Sequence, residues 1–149
     1  GRLNANDVDL NRNFDTPSWQ PKANWNHGKE YLDTTVVSAG SSAGSEPETK
    51  AVTNYMFEHH VTTAFFFHSV GSDVMPNQID PTPALAQSYA EATGFRLLPP
   101  DHWQQLQQTG TAAEWCTLNG IGFVEVEAPQ RWGSDWKRQR KAIKGLFKS

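Results

Sequence analysis

Thr62-Thr-Ala-Phe-Phe-Phe67 contains no charge, glycine or proline, and this run limits the possible folds more than any other feature of the chain. A segment so short and apolar, rich in β-branched and aromatic residues, predicts a strand covered on both faces, as in the parallel sheet of an α/β protein. Gly120-Ile-Gly-Phe-Val-Glu-Val-Glu127 predicts a second strand, ended by Pro129. Helices are predicted around these strands. Ser45-Glu-Pro-Glu48 reads as a helix start, with Ser45 as N-cap, Pro47 in the first turn and Glu48 at the capping-box position. Val52, Tyr55, Met56 and Phe57 would form its buried stripe, running to about His59. Pro83 to Thr93 predicts a second helix, N-capped by Thr82 and stopped by Gly94. Ser134 to Lys148 predicts a third, with Trp136, Ile143 and Phe147 on one face. Helix, strand, helix, strand, helix implies an α/β domain with a mixed, largely parallel sheet flanked by helices. Residues 15–44, rich in Pro, Trp, Asn, Gly and Ser, read as a long surface loop.

The composition excludes several classes of function. The chain has 149 residues with a net charge of −3 and 11% aromatic residues, which argues against disorder and against a nucleic-acid surface. Lys137, Arg138, Arg140, Lys141 and Lys144 form a short cationic run in an otherwise acidic chain, the pattern of a solvated helix face. No apolar run is long enough for a membrane span. Cys116 is the only cysteine, so no intrachain disulfide is possible and a reducing compartment is permitted.

The first fourteen residues, Gly1-Arg-Leu-Asn-Ala-Asn-Asp-Val-Asp-Leu-Asn-Arg-Asn-Phe14, crowd two guanidiniums and several amides around a short apolar segment. A planar guanidinium fits a carboxylate bidentately, and a neighbouring carboxamide adds a donor without adding charge. Asn11-Arg12 has the chemistry of such a carboxylate clamp. Ligands of open α/β sheets sit beyond the carboxyl ends of the strands. His68 and Glu127 occupy two such ends, with Glu125 on the same strand face as the local competitor. A hydrolytic zinc site needs neutral imidazole ligands, an open position for water and a carboxylate to take that water's proton. His68 could serve as ligand and Glu127 as base.

The string Asp9-Leu-Asn-Arg-Asn-Phe14, preceded by Arg2 and Asn4-Ala-Asn6, resembles the substrate-binding segment of the zinc metallocarboxypeptidases, and within them the bacterial murein peptide amidase A branch. That branch cleaves between γ-D-glutamate and diaminopimelate in cell-wall peptides. The resemblance implies a Zn2+ enzyme acting on a peptide or murein peptide with a free carboxylate. It implies that Asn11 and Arg12 bind that carboxylate, that Arg2 polarises the scissile carbonyl, that His68 is the third zinc ligand and that Glu127 is the general acid/base. Ser45-Glu-Pro-Glu-Thr49 and Thr109-Gly-Thr-Ala-Ala-Glu-Trp-Cys116 support it, and by the same comparison Ala113 lies near the specificity pocket. A cytoplasmic location is favoured over an oxidising one, without being fixed.

Two departures accompany the resemblance. Leu106 stands where the family's mobile tyrosine falls, four residues before the turn glycine. The family's first two zinc ligands, a His-x-x-Glu pair, precede the clamp, and no such pair precedes it here. The expectation is therefore that residues 1–149 form the C-terminal part of one catalytic domain, inactive alone. His27-Gly-Lys-Glu30 has the spacing of that pair but follows the clamp, and reads as surface loop. His59-His60 read as a helix end, since adjacent helical residues point about 100° apart. A deacylase-like relative acting on acyl-amino acids and a non-catalytic carboxylate-binding module are the alternative readings.

Overall fold

The computed structural model describes residues 2–27, 32–130 and 135–147. The chain divides into two compact units, one comprising Gly1–Val61 and Trp103–Asn119, the other Thr62–His102 and Gly120–Ser149.

In the first unit, a 3-10 turn at Leu10–Arg12 follows Asp9, whose carboxylate accepts from Asn11 N at 3.1 Å. The stretch expected to be a loop contains an antiparallel hairpin of β1 (Lys22–His27) and β2 (Asp33–Ser38). Only Ala23 of the two strands is buried, so no clean apolar alternation marked them. His27 closes β1, with its Nε2 2.9 Å from Thr35 Oγ1; Gly28-Lys29-Glu30 lies outside the described residues. Helix α1 spans Pro47–Glu58. Its N-cap residue is Glu46 rather than Ser45, whose hydroxyl instead donates to Glu46 Oε1. The expected stripe is corrected too, because Met56 is buried while Val52, Tyr55 and Phe57 are exposed. His59 is the C-cap and His60 follows with positive φ. Helix α3 (Ala112–Leu118) is N-capped by Thr111, whose hydroxyl accepts from Glu114 N at 3.1 Å. Trp115 is buried between Phe14 and Phe57.

The second unit is a four-stranded mixed sheet in the order β3-β6-β4-β5, formed by β3 (Thr63–Ser69), β4 (Asp73–Pro76), β5 (Arg96–Leu97) and β6 (Gly122–Ala128). β3 runs parallel to β6 and β4 parallel to β5, whereas β4 and β6 are antiparallel. β6 is mostly buried, as expected for a central strand. β3 is only half-buried, because it pairs on one side alone among the described residues. Helices α2 (Thr82–Thr93) and α4 (Trp136–Leu146) carry the core: Ala86, Tyr89, Ala90, Ala142, Ile143 and Leu146 meet Phe65, Val74, Val124 and Val126. Of the face expected for α4, Ile143 alone packs on the core. Gln139 and Ala142 face inward, while Trp136 and Phe147 are exposed. Ser134 and Lys148, the expected helix limits, lie outside the described residues. The strand side chains alternate, so Phe66, His68, Phe123, Glu125 and Glu127 share the sheet face opposite that core.

Candidate active site

The clamp segment of the first unit is built on backbone contacts. Arg12 is 1% exposed, and its Nε donates to Asn24 O at 2.7 Å and its Nη1 to Asn11 O. These two bonds to neutral carbonyls orient the guanidinium fork. Asn11 Oδ1 accepts from Ala112 N at 2.9 Å, fixing which way the amide points. Phe14 N donates to Gly110 O at 3.0 Å, and a Cβ on Gly110, at φ +65°, would meet Arg12 O at 2.2 Å. Only glycine allows the α3 turn to approach the clamp so closely.

Arg2 is held in place as well. Its Nε and Nη2 lie 2.7 and 2.6 Å from Asp9 Oδ2, and its guanidinium carbon sits 4.6 Å above the Trp25 ring. Both guanidiniums therefore lean on β1, the strand that composition had assigned to a loop. Ala113 is buried in α3, so it presents almost no surface itself and would shape a pocket only by the volume it leaves. Leu106 closes a 3-10 turn, His102–Leu106, and is half-buried.

The second unit carries the other candidates at adjacent strand ends. His68 and Glu127 are register partners across β3 and β6. Glu127 is 8% exposed, and its carbonyl accepts from Ser72 N at 2.8 Å, which binds the turn after β3 to the end of β6. The imidazole also approaches the competitor, with His68 Nε2 4.0 Å from Glu125 Oε2. Asp73, the antiparallel partner of Glu127, is engaged by Arg96 at 2.8 and 3.0 Å.

His68 Nε2 is buried and has no hydrogen-bond partner among the described residues, as a nitrogen reserved for a metal would be. No cluster of three or more His, Cys, Asp or Glu that could hold a metal occurs among the described residues. The residues present thus fit one position of a zinc site and do not complete it.

Sequence reasoning did not single out Asp9, Asn13, Asn24, Glu46 or Glu114. Asn13 is fully buried; its Nδ2 reaches Ala39 O, Ser42 O and Ser45 Oγ, and its Oδ1 accepts from Glu46 N. Glu114 accepts from Thr16 Oγ1 at 2.8 Å and from Ser18 Oγ. A cluster of Asn and Asp reads as a turn, and nothing in its spacing shows which amides are buried. No helix among the described residues is long and apolar enough to cross a membrane.

Comparison with known proteins gives this geometry its context. Murein peptide amidase A of Escherichia coli K12, and its counterpart from strain O157:H7, are each 37% identical over 132 residues, or 86% of this chain and 51% of theirs. The chain therefore spans about half the length of the curated relatives it matches. The crystal structure of murein-tripeptide amidase MpaA from E. coli O157 superposes with a TM-score of 0.74 at 23% identity, covering 96% of this chain and 58% of that one. Carboxypeptidase A from Helicoverpa armigera gives 0.67 at 19% identity, covering 93% and 41%. Both are likenesses of fold. Residues 1–116 match Peptidase M14, zinc carboxypeptidase, and with that match over most of its length the chain belongs to the zinc carboxypeptidase family.

Proposed function

We propose that this chain is the C-terminal part of a zinc-dependent catalytic domain that hydrolyses a C-terminal peptide or amide bond, the γ-D-glutamyl-diaminopimelate bond of murein peptides being the preferred candidate. The observation that carries the reading is the buried, backbone-oriented guanidinium of Arg12 beside the fixed amide of Asn11. A charged fork beside a fixed amide suits a free terminal carboxylate better than it suits a neutral chain.

Within this reading Arg12 and Asn11 hold the carboxylate, and Arg2 donates N–H groups to the oxyanion that develops on the scissile carbonyl. Arg2 would do so while Asp9 and Trp25 hold its plane. His68 would contribute one metal ligand through a neutral ring nitrogen. Zinc, when bound, supplies a Lewis acid that lowers the pKa of water. Glu127 accepts a proton at its carboxylate and returns it to the leaving amine. The remaining ligands would come from elsewhere in the protein.

The test uses the full-length protein. It should contain zinc, lose it on His68→Ala, and cleave a murein tripeptide but not the same peptide with its terminal carboxylate amidated. Equal cleavage of both peptides would remove the clamp from the reading. Zinc retained in full by His68→Ala would remove the ligand.

A further inference from the structure

Glu46 lies outside every role assigned above, yet it is buried at the start of α1 and surrounded by neutral donors. Asn4 Nδ2 and Asn6 Nδ2 each donate to its Oε2 at 2.8 Å, and Ser45 Oγ donates to its Oε1 at 2.7 Å. Its own backbone N–H donates to Asn13 Oδ1 at 3.0 Å. Glu46 is thereby joined to both sides of the segment that bears the clamp, to Asn4 and Asn6 on one and to Asn13 on the other. Asn4 in turn accepts through Oδ1 from Asn6 N and Val8 N, both at 3.0 Å. The Glu46 carboxylate, the closest of the Asn4 Nδ2 contacts, with the Glu48 carboxylate beyond it at 3.3 and 3.4 Å, thus orients the amide that shapes the loop between Arg2 and Asp9.

We propose that Glu46 is a positioning residue of the recognition segment: its carboxylate gathers Asn4, Asn6 and Ser45 and so holds residues 4–13 in the shape that presents Asn11-Arg12. A buried carboxylate is costly unless its lone pairs are met. Three short bonds from neutral donors meet them while leaving the negative charge intact. Those hydrogen bonds also hold the Glu46 carboxyl below its ordinary range, Ser45 first and then Asn4 and Asn6. A glutamine keeps the volume but has one acceptor oxygen, and its amide N–H2 would face donors already in place.

The proposal rests on the carboxylate-clamp reading, and the experiment separates the two. Full-length Glu46→Gln and Arg12→Lys would each be assayed on the murein tripeptide and on its amidated form, with zinc content and backbone hydrogen exchange measured in parallel. Displacement of a binding group by a fraction of an ångström costs about tenfold or more. Glu46→Gln should therefore raise KM for the acid peptide about tenfold, leave kcat and zinc nearly unchanged, and speed exchange at Asn6 and Val8. A purely structural role would instead lower kcat and zinc together with thermal stability. Unchanged KM, or unchanged exchange at Asn6 and Val8, overturns the proposal. Should Glu46→Gln fail to fold, Asn6→Ala keeps the carboxylate and removes one donor, and a KM there equal to that of the parent likewise overturns it. If Arg12→Lys leaves the preference for the acid peptide intact, the clamp reading fails, and exchange alone decides whether Glu46 positions the segment.

Discussion

The two units hold their candidate residues by opposite means. In the second, His68 and Glu127 stand at the ends of neighbouring strands, and the sheet beneath them packs Val74, Val124 and Val126 on Tyr89, Ala90 and Ala142. In the first, Arg12 and Asn11 sit on a short turn, and their orientation comes from carbonyls, amides and carboxylates, with Asn13, Glu46 and Asp9 all buried. A strand end needs little added support, because the sheet's ladder already fixes its direction. A turn has no such ladder, so each of its polar groups must find a named partner.

The sharpest way to break this comparison is at the two glutamates of β6. Glu127→Gln in the full-length protein should lower kcat by about 10²–10⁴-fold, the usual loss of a general base, whereas Glu125→Gln should cost less than about tenfold. The reverse order would move the base to Glu125, whose Oε2 lies 4.0 Å from His68 Nε2. A stability pair comes next. Asn13→Ala leaves several buried groups without their partner and should cost about 2–3 kcal/mol, while Val126→Ala removes apolar volume and should cost about 2 kcal/mol. Denaturant titration checks both, and KM separates them. Only Asn13→Ala should weaken binding of the acid peptide; an equal KM effect from Val126→Ala would show that the units do not differ in this way.

The smallest effect concerns alkaline pH. Burial pushes the Cys116 thiol up to about 12, and burial followed by the charge of Asp135 pushes the Tyr89 hydroxyl up to about 12. Both groups bind their protons more tightly folded than unfolded. Their stabilisation is therefore complete below the unfolded values, near 9 and 10, and is lost as pH rises towards 12. The melting temperature should fall across that window, and Cys116→Ala should flatten the part of the fall that begins near pH 9. A melting temperature constant from pH 8 to pH 11 would contradict this.

Legibility in the sequence followed the same division. The strands that carry His68 and Glu127 near their ends and the helix stopped by Gly94 announce themselves through local signals: apolar runs and a left-handed C-cap. The hairpin β1–β2 did not, because Lys22-Ala-Asn-Trp-Asn-His27 buries a single side chain and its strand character comes from pairing with Asp33–Ser38. β4 was hidden for a related reason, as four residues ending in Pro76 become a strand only between β6 and β5. The faces of α1 and α4 were partly misjudged because helical spacing shows which residues share a side and not which side meets the core.

By itself, the sequence determined the α/β class and located β3, β6 and the helices α1, α2 and α4, and it offered Asn11-Arg12 as a carboxylate-binding pair, since apolar patterning and residue chemistry are local properties of the chain. Only the tertiary structure decided that β1 supports both guanidiniums, that Gly110 must approach Arg12, and that Glu46 gathers Asn4 and Asn6, because each depends on groups far apart in sequence whose polar atoms must be satisfied once water is excluded.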